Sequence, residues 1–139
     1  MTDDEVLDIA IQMGRIFNDG DEEVARRLVA PDFVDHEASP DHPGGPEGYA
    51  ATARWMRGVW EDATWSIVDS FAKGDKAMLR VIFTGRQVQD FMGVPATGKR
   101  VEVQHLHLYR VADGQVAEHW AVRDDLGLMR QLGAWPARP

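Results

Sequence analysis

The chain has 139 residues, 44% of them hydrophobic and 27% charged. These are the proportions of one ordinary globular domain, spanning 1–139, with length enough to bury a core. A net charge of −8 disfavours nucleic acid and anionic membrane surfaces as partners. Cysteine is absent, which removes disulfides, thiol nucleophiles and thiolate metal sites. The opening MTDDEVLDIAIQMG is acidic and amphipathic, neither a secretory signal nor a membrane span, and the expected location is the cytoplasm.

Residues 3–18 carry Val6, Ile9, Ala10, Met13, Ile16 and Phe17 at helical spacing, closed by Asn18-Asp19-Gly20. A short second helix follows over 21–29, its acids at the positive end of the dipole. PDFVDH reads as a short extended segment with Phe33 and Asp35 on one side. Two prolines and two glycines make 38–45 a loop. Pro46 then suits the first turn of a third helix, with Tyr49, Ala53, Met56 and Trp60 as its apolar stripe.

Four strand-like segments come next, over 64–72, 77–87, 100–111 and 115–123. Turns at Lys73-Gly74-Asp75 and Asp113-Gly114 separate two of the junctions, and a broken loop over 90–98 the third. A last helix, 125–132, ends at Gly133, and the tail 134–139 reads as extended. Helices followed by a mostly antiparallel meander make an α+β fold with helices over one sheet face. In the third strand Val101, Val103, His105, His107, Tyr109 and Val111 share a face. Leu106 and Leu108 lie on the other, which is apolar enough to contact a second copy of the chain.

The chemistry concentrates in 101–133. His105 and His107, two apart on one strand, could join His36 or Asp124 around a metal, although no recognised ligand motif is present. Ser39, Ser66 and Ser70 lie in no nucleophile elbow, and GVPATGK lacks the spacing of a phosphate loop. General acid–base chemistry fits better. Asp124 ends a strand; in an apolar cavity it would be a strengthened base, and at a helix start it would be an N-cap. Asp125 competes for both jobs.

His107 could bond a substrate carbonyl or orient the carboxylate, or be a core histidine. Asp35 and His36 stand where they could rim a pocket. Tyr109 and Trp120 would anchor its wall, with Phe33, Tyr49, Trp60 and His105 as further candidates for contact with substrate.

The runs FMGVPATGKRVEV, HLYRVADGQVAEHW and DDLGLMRQLG, with PDFVDHE and GPEGY upstream in the same order, resemble the SnoaL-like polyketide cyclase family over nearly the whole chain. The resemblance implies an NTF2-like, cone-shaped α+β barrel, a curved sheet against N-terminal helices, in a homodimer or homotetramer. It also implies a cofactor-independent enzyme without metal that closes an aromatic polyketide-type ester by intramolecular aldol condensation. In that pattern Asp124, three before Gly127, takes the place of the catalytic base, and His107 of HLYR that of the pocket histidine. One departure is the apolar Trp120-Ala121-Val122 that follows His119. Epoxide-hydrolase or hydroxylase-like chemistry on the same scaffold, and a non-catalytic small-molecule binding protein, are the alternatives.

Overall fold

The computed structural model describes residues 1–134; most of the tail expected to be extended lies outside the described residues. Helix α1 spans Asp3–Gln12 and starts on a capping box. Thr2 accepts from the Glu5 amide while Glu5 reaches back to the Thr2 amide. The single helix expected over 3–18 is broken at Met13, and a short α2 follows over Gly14–Asn18. The apolar stripe continues through the break, with Met13 and Ile16 buried, so periodicity alone did not mark it. Helix α3 (Glu22–Leu28), capped by Asp21, leads into β1 (Val29–Asp35). Pro31 thus lies inside β1, and α3 ends before reaching it.

Helix α4 runs over Gly45–Val59 with Pro46 in its first turn. Trp60, expected on its apolar stripe, instead begins β2 (Trp60–Lys73). The indole is still buried, packed edge-on against Phe83 and Phe91. β3 (Lys76–Gln87), β4 (Arg100–Ala112) and β5 (Gln115–Arg123) complete the sheet. Asp113 and Gly114, both at positive φ, make the turn between β4 and β5. Helix α5 (Asp125–Leu132) stops at Gly133, whose left-handed φ of 76° closes the last turn.

The sheet order is β1-β5-β4-β3-β2. β2 to β5 are antiparallel neighbours, and β1 joins the far side of β5 in parallel. Alternation in β3 and β4 is nearly strict: Leu79, Val81, Phe83 and Val101, Val103, Tyr109 face the helices and are buried. The opposite face keeps Leu106, Val122 and Phe71 in solvent. Among the described residues no helix is long and apolar enough to cross a membrane.

Candidate active site

Three neighbouring strands bring the polar groups together on the helix-facing side. Across β4 and β5, Tyr109 lies opposite His119, His107 opposite Ala121, and His105 opposite Arg123. Across the parallel pair, Asp35 at the end of β1 lies beside His119. Because side chains alternate, His119, Ala121 and Arg123 share one face of β5 while Trp120 and Val122 take the other. Above this patch sits a cavity of about 280 Å³. Its roof is apolar, with Met13, Gly14 and Phe17 from the broken helix and Tyr49, Thr52 and Met56 from α4. Trp65, Leu79, Val81 and Phe91 line its wall.

A chain of hydrogen bonds runs along one side of the cavity. Asp35 Oδ1 lies 2.9 Å from His119 Nδ1 and accepts the Glu37 amide at 3.0 Å. His119 Nε2 lies 2.8 Å from His107 Nδ1. An ionised carboxylate only accepts, so His119 donates from Nδ1; its Nε2 is then the acceptor for His107 Nδ1–H. Nε2 of His107 is left as a lone-pair acceptor. It has no protein partner among the described residues, is not sealed off from solvent, and belongs to a ring that lines the cavity.

The electrostatics agree with this assignment. Burial alone would raise the Asp35 carboxyl, but the hydrogen bond from His119, with that of the Glu37 amide and the nearby Arg123 guanidinium, outweighs it and holds it below its usual value. Burial above all, with the nearby Arg123 guanidinium, pushes His107 well below the ordinary imidazole range. It is therefore neutral at pH 7 and free to accept a proton.

Tyr49 and Tyr109 also line the cavity, hydroxyl to hydroxyl at 2.9 Å. Burial raises Tyr109 to about 12 and Tyr49 well above its usual value, so both keep their protons. One hydroxyl donates to the other, which leaves the second O–H of the pair to donate elsewhere.

The other candidates separate cleanly. Asp124 is exposed and serves as N-cap of α5, accepting the Gly127 amide at 2.8 Å. It is not part of the cavity wall, whose carboxylates are Asp35, Glu37 and Asp125. His36 and Trp120 lie on the far side of the sheet, stacked with ring centroids 4.8 Å apart, and His36 bonds Glu118. Alternation turns them outward, since each follows an inward neighbour, Asp35 or His119. Phe33 packs edge-on behind Tyr49, and Trp60 is core; neither reaches the cavity wall. His105 is buried against Phe83, and burial, with Arg123 nearby, lowers it to about 3. The metal grouping of His105 and His107 with His36 or Asp124 is not assembled, since His36 faces away and Asp124 is engaged as a cap.

His119 and Arg123 are the site residues that strand spacing had not singled out. Regular pairing outward from the Asp113-Gly114 turn would set Glu118 opposite Tyr109; a register shift between Arg110 and Val111 brings His119 there instead, and no local pattern marks that shift.

Comparison with known proteins agrees with the fold. The family model of SnoaL-like polyketide cyclases matches residues 8–132. Aklanonic acid methyl ester cyclase DnrD of Streptomyces peucetius is 29% identical over 134 residues, covering 94% of this chain and 92% of that protein. Nogalonic acid methyl ester cyclase of Streptomyces nogalater is 30% identical over 124 residues, covering 86% and 92%. The solved structure of TsrD from Streptomyces laurentii superposes with a TM-score of 0.88 at 32% identity, over 97% of this chain and 99% of that one. With its curved NTF2-like sheet, its helix-roofed cavity and a match over nearly its full length, the chain belongs to the SnoaL-like polyketide cyclase family.

Proposed function

We propose that the protein closes a ring in an aromatic polyketide by intramolecular aldol addition, with His107 as general base. Nε2 of His107 takes a proton from a carbon flanked by carbonyls. The positive charge that spreads over His107 and His119 is balanced by the Asp35 carboxylate. The enolate oxygen receives the spare O–H of the Tyr49–Tyr109 pair, and the carbanion adds to a ketone of the same molecule. His107 then returns its proton to the new alkoxide, so one C–C bond forms and no proton is gained or lost. The work divides into holding a folded substrate and moving one proton.

The observation that carries this reading is the Asp35–His119–His107 chain, a hydrogen-bonded acid–base relay on the wall of the cavity. The volume suits the substrate class. A 150 Å³ apolar cavity holds benzene, and about 280 Å³ leaves room for fused rings.

Turnover of aklanonic acid methyl ester by His107→Gln and Asp124→Ala variants tests the assignment. Loss of about 10²–10⁴-fold in the first, with the second near wild type, is expected. The opposite pattern would return the base to Asp124. A protein that the ester stabilises but leaves unchanged would be a binding protein instead.

The outer sheet face, where Leu106 and Val122 are exposed beside half-buried Leu108 and Trp120, supports self-association into a homodimer through the sheet. Light scattering should give a dimer for the wild type and a monomer for Val122→Asp; a monomeric wild type would dismiss the dimer.

A further inference from the structure

Arg123 is a charged residue for which the aldol mechanism has no use. It lies on the inward face of β5 and lines the cavity. Nevertheless it makes no hydrogen bond or ion pair with any of the described residues, whereas Arg15, Arg26, Arg54, Arg80, Arg86 and Arg110 all pair with carboxylates. The acids on the same wall do not neutralise it. Asp35 is engaged by His119, while Asp125 and Glu37 are exposed and not within ion-pair distance of it. A guanidinium on a cavity wall, without a carboxylate partner among the described residues, is a waiting half of an ion pair. Its field reaches into the cavity, where it disfavours positive charge on both His105 and His107.

The register sets the spacing. Arg123 is two residues beyond Ala121, which faces His107, so its backbone is displaced along the strand by roughly 6–7 Å. That is the span of about two to three fused rings. Ala121, between them, presents only a methyl and leaves the path open. Resting on the cyclase reading above, we infer that Arg123 anchors an anionic group of the substrate. The substrate of this protein carries a carboxylate about two to three fused rings away from its reacting carbon. Arg123 would then select between substrates of like skeleton, binding the acid in preference to a neutral ester at that position.

Calorimetric titration with anthraquinone-2-carboxylate and with its methyl ester checks this on the intact protein. The wild type should bind the acid at least about tenfold tighter than the ester. Arg123→Gln should abolish that preference while holding the ester as before, and Arg123→Lys should keep part of it. Equal binding of acid and ester by the wild type, or a preference that survives in Arg123→Gln, would overturn the anchor while leaving the aromatic cavity intact. Binding of neither compound would overturn both the anchor and the aromatic-ligand reading beneath it.

Discussion

In the proposed mechanism the side chains at the cavity divide the roles of base, relay and counter-charge among three residues. Asp35→Asn keeps the shape of the relay but removes its charge, and should lower kcat by roughly 10–10²-fold; a kinetically normal variant would mean that the carboxylate only fixes the ring. The pH profile gives a second measure. A base must be unprotonated to act, and His107 sits well below the ordinary imidazole range. The acid limb of kcat/KM should therefore lie below the usual histidine value of about 6.5, with activity flat from pH 8 to 6.5. A limb centred on that ordinary value would count against His107. Asp124→Ala should cost about 1 kcal/mol through the lost cap, seen in urea unfolding.

The elements show where local pattern succeeds and where it stops. Strand alternation and the Asp113-Gly114 turn were enough to give β4, β5 and α5 nearly residue by residue. The break at Met13 was not legible, because the same apolar stripe serves one helix or two. Trp60 fits a helix stripe and a strand start equally well by spacing. Asp35 and His119 meet only through the parallel β1–β5 pairing, 84 positions apart in sequence, and no local spacing encodes that contact.

Two glycines of α4 behave oppositely for the same kind of reason. A methyl at Gly48 would collide with the Pro43 carbonyl, on the loop that His42 ties back to the Gly48 carbonyl. Gly48→Ala should cost about 1–3 kcal/mol. At Gly58 the added methyl meets only the Gln89 amide at ordinary contact distance. Gly58→Ala should stabilise by about 0.5–1 kcal/mol. Chemical denaturation of the pair gives both signs, and equal signs would contradict the packing.

For the molecule as a whole, buried neutral imidazoles make stability fall with acid. His105 has a folded value of about 3, against about 6.5 in the unfolded chain. Its folded value is lowered, so between these limits the unfolded state binds a proton that the folded state refuses. Stability therefore rises with pH through that window. From pH 6.5 to 5 the cost is about 2 kcal/mol for this one group. His105→Phe, which retains the stack on Phe83, should lose that much of the difference between unfolding at pH 7 and pH 5. An unchanged difference would show that His105 is hydrated in the fold.

The interruption between α1 and α2 also bears on motion. The break at Met13 and Gly14 occurs where the two residues roof the cavity. A five-residue helix such as α2 holds few hydrogen bonds of its own and opens at low free energy. The roof is thus the wall expected to open first, where a rigid polycyclic ligand would enter. Amide deuterium uptake over 14–18 should be fast in the empty protein and slow once an aromatic ligand is seated, while the amides of β3 and β4 stay unchanged.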